Sequence, residues 1–363
     1  IEGAYATGDE ANEKGCGPSA IRCAYLHGNA WIQGFTLRGG ATAVKDEYSD
    51  NGGGICGGVS SPATTFALDC IIENCRAVRG GGVNGGNYFR CLLRGNDSVS
   101  SLTKDAYDAA GYYGCVFTSG SVYGSIGKIV NCTFVRTNLG GNLTEPHVFN
   151  SYIDYDDGKC HYHHCVWRAS KSTTSSTYDD CVQATAAEVG LDETTYRPLA
   201  TATALIDKGL NACYVTNWPS AWPGVTDIAG GQRIYNAAID IGAGEYDWRP
   251  AYASRLGGRR VAVVAASSGV TEGEAGVLLT DGETLTVDWT VDEEASAGFN
   301  VAVAGEGSLS VKVNGEDVPV KDGVCAFNLV AGANVVEIAF AGTGTATVGG
   351  FFGAEKGLLL IVR

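Results

Sequence analysis

LDCII (68–72), FRCLL (89–93), YGCVF (113–117), VNCTF (130–134), HHCVW (163–167) and DDCVQ (179–183) repeat one short pattern around a cysteine. IQGFTL (32–37) and FNSYI (149–153) fit the same frame, with Gly34 and Ser151 in the cysteine slot. From Cys70 onward the slots follow one another at 21, 24, 17, 19, 14 and 16 residues, with turn-forming residues between them. A short strand recurring at such intervals, with loops of varying length taking up the difference, predicts a solenoid whose coils bury their apolar faces by stacking. Side chains alternate across a strand, so a period of two puts each cysteine on one face with the residues two before and two after it. Those flanks are Leu68/Ile72, Phe89/Leu93, Tyr113/Phe117, Val130/Phe134 and Phe149/Ile153, nearly all large and apolar. Cys70, Cys91, Cys115, Cys132, Cys165 and Cys181 are therefore expected to form an internal ladder, with rungs about 4.8 Å apart. Free cysteine packs as a small hydrophobe, and this ladder reads as packing rather than as a metal site or a disulfide framework.

Composition agrees with many tight turns: 52 glycines and only 8 prolines in 363 residues, enough chain for two or three domains. The formal charge of −15 argues against nucleic acid or an anionic membrane as partner. No apolar run approaches the roughly 20 residues of a membrane helix, so no transmembrane segment is expected. Methionine is absent, and the 13 cysteines are an odd number. Cys16 and Cys23, outside the ladder, are the pair to consider for a disulfide. The opening residues show no signal-peptide pattern, and the chain reads as a mature or trimmed ectodomain.

In chain order, residues 1–30 are expected to cap the open end of the solenoid, and the coil series starts at residue 31. Glycine clusters at GGGICGG (52–58) and GGGVNGG (80–86) suit left-handed or crowded backbone at corners. They lack the G-K-[ST] and the helix that a phosphate loop would need. GGGI (52–55) and GGGV (80–83), alternating with IIEN (71–74), LLRGN (92–96) and FVRTN (134–138), resemble the GGA[ILV] and FxxN repeats of chlamydial polymorphic outer-membrane proteins. The third glycine stands where those repeats carry alanine, and one FxxN-like copy alone keeps its Phe. LIDKGLN (205–211), DIAGGQRI (227–234) and AIDIGAGEY (238–246) resemble the closing segment of choice-of-anchor proteins, secreted bacterial β-helix proteins. Both resemblances imply a bacterial, extracellular right-handed parallel β-helix and say little about chemistry. Asp227, Arg233, Asp240 and Glu245 of the closing motif are expected to satisfy backbone groups and one another where the coils end.

After residue 250 the cysteine pattern stops. Residues 251–260 read as a linker, basic and small. From 261 alternating strands are expected at 284–291, 299–304, 309–313, 318–320, 324–329, 334–340, 345–348 and 358–362. Turns at Asn314-Gly315 and 321–323 accompany them. The expectation is an all-β chain: a right-handed parallel β-helix over 1–250 and a small antiparallel, jelly-roll-like β-sandwich over 261–363. Trp289, Phe299, Phe351 and Phe352 are aromatic enough for a sugar platform, with core packing as the competing fate of most.

Positions one before and three after each slot are expected to face outward, pairing Asp69 with Arg90, Glu73 with Arg94, Asp154 with Arg168 and His164 with Asp180 across adjacent rungs. Ordinary sheet stabilisation accounts for such pairs. The stretch 154–168, followed by Tyr178, Asp179 and Asp180, alone crowds carboxylates, imidazoles and cations together. An enzyme of the β-helix polysaccharide lyase kind would use Asp154, His164, Arg168 and Asp180 as catalytic groups. Acidic groups, often through Ca²⁺, would neutralise a uronate while a base removes the acidified proton. Tyr152, Trp167 and Tyr178 are the candidate binding aromatics, and Asp156 and Asp157 the candidate calcium ligands; no cofactor is otherwise implied. His161 and His163 share one strand face and His164 takes the other, which argues against a three-histidine metal site. By the same phase His163 and Asp179 should form a buried polar pair. The residues just after the slots (Ile71, Leu92, Val116, Thr133, Tyr152, Val166, Val182) make an apolar outward stripe. Either something covers it (the 97–111 loop, the sandwich or another subunit, so an oligomer) or a bulge turns it inward. The leading functional expectation is a secreted or cell-surface, adhesin-like scaffold that contacts glycans or a surface protein; the alternative is a lyase or glycoside hydrolase on acidic polysaccharide.

Overall fold

The computed structural model describes residues 1–43 apart from 10, 50–57, 64–99, 105–140, 145–168, 176–220, 226–247 apart from 232 and 235–237, and 261–353 apart from 268, 274 and 292. They form two compact units, Ile1–Tyr246 and Asp247–Arg363. The first is a right-handed parallel β-helix and the second an antiparallel β-sandwich. The 251–260 linker and the 358–362 strand lie outside the described residues.

Each coil of the β-helix uses three short strands. The first sheet stacks eight of them in parallel, from Trp31–Gln33 through Phe66–Leu68, Asn87–Phe89 and Gly111–Tyr113 to Thr177–Asp179. The second holds Thr36–Arg38, Ile71–Glu73, Leu92–Arg94 and their successors, and the third starts at Ala24–Tyr25 and Ile55–Gly57. Between first and second sheet the chain turns sharply at the residue before each slot. Asp69, Arg90, Asn131, Asn150, His164 and Asp180 all have φ between 46° and 52°, and Gly114 has φ 63°. The cysteine follows this left-handed residue and sits in the corner.

The ladder is present as expected, and it is hydrogen-bonded. Cys91 N–H donates to Cys115 Sγ (3.4 Å), Cys115 N–H to Cys132 Sγ (3.4 Å), and Cys132 N–H to Ser151 Oγ (3.0 Å). Ser151 N–H then donates to Cys165 Sγ (3.4 Å) and Cys165 N–H to Cys181 Sγ (3.3 Å). All thirteen thiols are free, Cys16 and Cys23 included, and Cys23 has Cys75 as its hydrogen-bonding neighbour instead. Burial pushes the Cys91 and Cys115 thiols far above the ordinary range, which makes them poor nucleophiles.

The corner overturns half of the expected phase. Strand alternation holds from the slot forward: Ile72, Leu93, Phe117, Phe134 and Ile153 fill the interior. It fails backward, because the left-handed residue resets the direction of the preceding side chains. The residues three before each slot (Ala67, Tyr88, Tyr112, Ile129, Val148, Tyr162) point inward, while Leu68, Phe89, Tyr113 and Val130 form a separate outer cluster under Trp218. Register also shifts the first coil. Gln33 pairs with Leu68 and Thr36 with Ile71, so Phe35, not Gly34, takes the cysteine slot, and Gly34 is the left-handed corner (φ 74°).

The apolar outward stripe is real, and the chain itself covers its Thr133, Tyr152 and Val166 stretch. Tyr152 and Val166 pack under Val189, Ala202, Leu205 and Ile241. Thr133 Oγ1 accepts the Ala243 N–H at 2.8 Å. Val182, at the end of the stripe, stays exposed. Ile71 and Leu92, earlier in the stripe, are half-buried. Residues 184–246, whose described part holds a 3-10 turn (Ala187–Val189) and one α-helix (Asn211–Asn217), thus run along the corner rather than closing the end of the coil. At the other end, Ile1 and Gly3 donate to Thr36 and Arg38 carbonyls, extending the second sheet, whereas Trp31 on the edge of the first sheet is exposed. The cap is partial. At the glycine clusters, Gly52 (φ 67°) and Gly80 (φ 58°) make the corner, and a Cβ on Gly54 would lie 2.5 Å from the Gly82 carbonyl oxygen.

In the second unit, leaving aside the two-residue edge strand Val320–Lys321, the eight strands from Gly276–Leu279 to Thr345–Gly353 pair as first–eighth–third–sixth in one sheet and second–seventh–fourth–fifth in the other. That connectivity is a jelly roll. Asn314-Gly315 makes the expected tight turn, with φ 52° and 87°. Val261–Ala266, Thr271–Gly273 and Gly276–Leu279 are strands that the pattern missed. Trp289, Phe299 and Phe351 are core; Phe352 is exposed.

Ser151 shows that a hydroxyl suits the slot when it donates to the Phe149 carbonyl, as it does at 2.8 Å. Cys115→Ser should therefore cost little, whereas Cys115→Leu, overfilling a corner of no accessible surface, should destabilise the β-helix by roughly 1–3 kcal/mol. Denaturant midpoints of the two variants check this; equal midpoints would contradict the packed ladder.

Candidate functional site

Between the second sheet and residues 186–196 lies an open cleft of ≈ 510 Å³. Its floor comes from the strands carrying Tyr152, Asp154 and Arg168, and its wall from Val189, Leu191, Glu193 and Tyr196. Asp154 sits three residues after the Ser151 slot and is buried under the closing segment, with 3 % exposure. Its Oδ1 accepts the Tyr152 hydroxyl and Arg168 Nε (2.7 Å), and its Oδ2 accepts the Arg136 backbone N–H (2.6 Å). Burial pushes this carboxyl up, but the bonds from Arg168, Tyr152 and Arg136 outweigh it and hold the group below the usual range. The same bond to Asp154 raises Arg168. Both groups stay charged.

The four expected cross-rung pairs all form: Asp69–Arg90 (2.6 Å), Glu73–Arg94 (2.7 Å), Asp154–Arg168 (2.7 Å) and His164–Asp180 (3.8 Å). They do not converge. His164 is a corner residue and Arg168 stands four residues further on, so about 13 Å of strand separates them. The proposed catalytic set is thus split between two edges of one sheet.

The candidate binding residues divide as well. Tyr152 reaches the cleft. Trp167 and Tyr178 belong to the inner columns, their rings 5.1 Å apart in the core, so they offer no sugar platform. The Asp156 carboxylate accepts the hydroxyls of Tyr162 (2.8 Å) and Tyr178, which engages both oxygens. The side chain of Asp157 lies outside the described residues. Among the described residues no group of three or more His, Cys, Asp or Glu side chains is arranged to hold a metal ion.

His163 and Asp179 do pair (3.0 Å), but on the outer face, because the corner reverses the phase. His147 Nδ1 lies 3.1 Å from His163 Nε2, and its ring stands 4.9 Å from that of His161. Glu145 takes His161 Nε2 at 2.9 Å. Burial, then the two neighbouring imidazoles, lower His147.

In the closing segment Asp227 is gripped by Arg197 (2.7 and 3.1 Å) and accepts three backbone N–H groups. Arg233 donates to the Gly242 and Ala243 carbonyls and lies 3.5 Å from Glu245. Asp240 accepts from Asp207 N–H (2.7 Å) and Tyr246 N–H (2.6 Å). These side chains hold the segment together and are turned away from solvent.

No family model matches the chain, and no curated protein is significantly similar to it. The cleft is accordingly read from its own chemistry. Arg136, Glu193 and Tyr196 escaped the sequence reading because they follow from a corner and a long-range packing that no local pattern encodes.

Burial raises Asp240 to about 7, against the two N–H donors that lower it, and raises Glu245 in the same direction. A carboxyl raised in the fold contributes stability that is full below the ordinary carboxylate range and is lost as pH climbs toward the folded value. Exchange protection of the Asp207 and Tyr246 amides, corrected for intrinsic rate, should fall between about pH 5 and about pH 7.5. Protection that stays level over this window would show Asp240 to be ionised throughout.

Proposed function

We propose that the chain is an extracellular or cell-surface scaffold that binds glycans, or a partner protein, through the outer face of its β-helix. The observation that carries this reading is the engagement of the ionisable groups. Asp154 accepts three hydrogen bonds and Asp156 two, while His164 stands apart from both. A lyase or hydrolase needs a proton acceptor within reach of substrate and of a partner acid, and the cleft supplies a shaped surface with fixed charges instead. A long parallel stack also suits a spacer or display role, since each coil needs only its neighbours. Location outside the cell is supported by the two sequence resemblances and is compatible with thirteen free thiols, ten of them buried. No described helix is long and apolar enough to cross a membrane.

The test is to incubate the full chain with uronate polymers, with and without Ca²⁺, following the absorbance of unsaturated uronate, and to probe a glycan array in parallel. Retained glycans with flat absorbance are expected. A calcium-dependent rise would replace this reading with a lyase, and an empty array would remove its glycan arm.

A further inference from the structure

Arg168 is held by Asp154 and the Tyr152 hydroxyl and is otherwise open to the cleft. Its Nε donates to Asp154 Oδ1 at 2.7 Å, its guanidinium lies 5.9 Å from the Tyr155 ring centre, and its side chain is 35 % exposed. Among the described residues the Tyr152 hydroxyl is the one other group bonded to the guanidinium, so its remaining N–H donors on the cleft side are left for a ligand. Arg136 lines the same cleft, and among the described residues its side chain has no partner while its backbone N–H fixes Asp154. A guanidinium clamped at Nε by a buried carboxylate loses little freedom when it binds, and its open edge matches a planar oxyanion in two parallel hydrogen bonds.

Two further features narrow the anion. Val135, Val189 and Leu191 give the cleft an apolar side, and ≈ 510 Å³ falls within the ~300–1,000 Å³ of small-molecule sites. Glu193 and Asp192 on the rim add negative charge, and the Glu193 carboxylate lines the cleft as an acceptor for hydroxyls. Densely charged phosphate or sulfate polymers are disfavoured there, and more so by the net charge of −15. A ligand with one carboxylate, several hydroxyls and an apolar C–H face fits every element.

We propose that the cleft binds a carboxylated sugar, a uronic acid residue of a glycan, with the carboxylate on the Arg168 fork and hydroxyls toward Glu193. The proposal rests on the glycan-binding reading above and names the ligand class of that same face.

Calorimetric titration of the full chain with uronic-acid tetrasaccharides, their carboxyl-reduced counterparts and inorganic phosphate tests it. Binding of the uronate with at least about tenfold loss on carboxyl reduction is expected, the scale of a charge-assisted hydrogen-bond pair. Arg168→Lys keeps a cation beside Asp154, so the fold survives by circular dichroism, yet it removes the fork; it should lose at least about tenfold as well. Arg136→Gln, an exposed side chain with no partner among the described residues, should weaken binding without any effect on folding. Equal affinity for reduced sugars, indifference to both variants, or phosphate competing as well as uronate would each overturn the proposal. If the array retains glycans that these variants do not affect, the assignment to the cleft fails while the scaffold reading stands; if nothing is retained, the assignment and the glycan arm of that reading fail together.

Discussion

One backbone constraint organises the first unit: the left-handed residue that precedes each slot. L-residues enter that region at a cost, least for Asn and Asp, and the chain places Asp69, Asn131, Asn150 and Asp180 there, with Gly114 as the unstrained case. Arg90, a less favoured occupant, is anchored to Asp69 on the rung below by two bonds of 2.6 and 3.0 Å. The turn sends the following N–H along the stack, where it meets the next sulfur or hydroxyl. Ladder and corner are therefore one device. The conformation that bends the chain also aims a donor that would otherwise be buried without a partner.

The same corners hold the closing segment. Asn150 exchanges two 2.9 Å bonds with the backbone of Leu210, and Asn131 donates to the Asp240 carbonyl at 3.1 Å. Because the turn throws the residues two before the slot outward, Phe89 and Tyr113 stand stacked at 4.7 Å on the outer face of the first sheet, and Trp218 crosses them edge-on at 5.9 and 5.6 Å and buries them. On the other side of the corner Tyr152 and Val166 receive Val189 and Leu205. Residues 184–246 thus straddle the corner, burying apolar surface on both sheets at once, and the cleft remains where the segment lifts off the second sheet near Asp154.

What could be read from the sequence was the stacking; what could not was the phase across the turn. Asp69–Arg90 and Glu73–Arg94 pair as expected because register depends on slot alignment alone. Tyr178 reads as ligand-facing, and His163 as inward, when a period of two is carried through the residue that breaks it; Trp167, two after its slot, lies on the regular side and its inward place follows from the alternation itself. Asn and Asp before the slot are the composition cue for that break, but His164 and Arg90 in the same position carry no such signal. The cover over the apolar stripe was visible as a need and not as an answer: nothing local to 184–246 says that it folds back along the corner. Asp154 and Arg168 came through because both lie on the regular side of the turn. Arg136, at φ 51° beyond the strand register, and Glu193, on the cover, did not.

The irregular spacing of the slots now has a location. From Phe66–Leu68 to Thr177–Asp179 the first strand and the corner keep one length, and the second strand starts at the residue after the slot, as at Ile71–Glu73 and Val182–Gln183. All variation falls after the second sheet, so length changes there leave corners, ladder and outer columns in register. The floor of the cleft belongs to this fixed unit, whose side chains are positioned by stacked neighbours on both sides. Its wall belongs to a segment held by separate contacts at Asn131, Asn150 and Thr133. A site built this way has a rigid set of charges beneath and a wall whose shape follows independent residues. Changes in the wall can alter which sugar fits without disturbing the Asp154–Arg168 pair that the floor depends on.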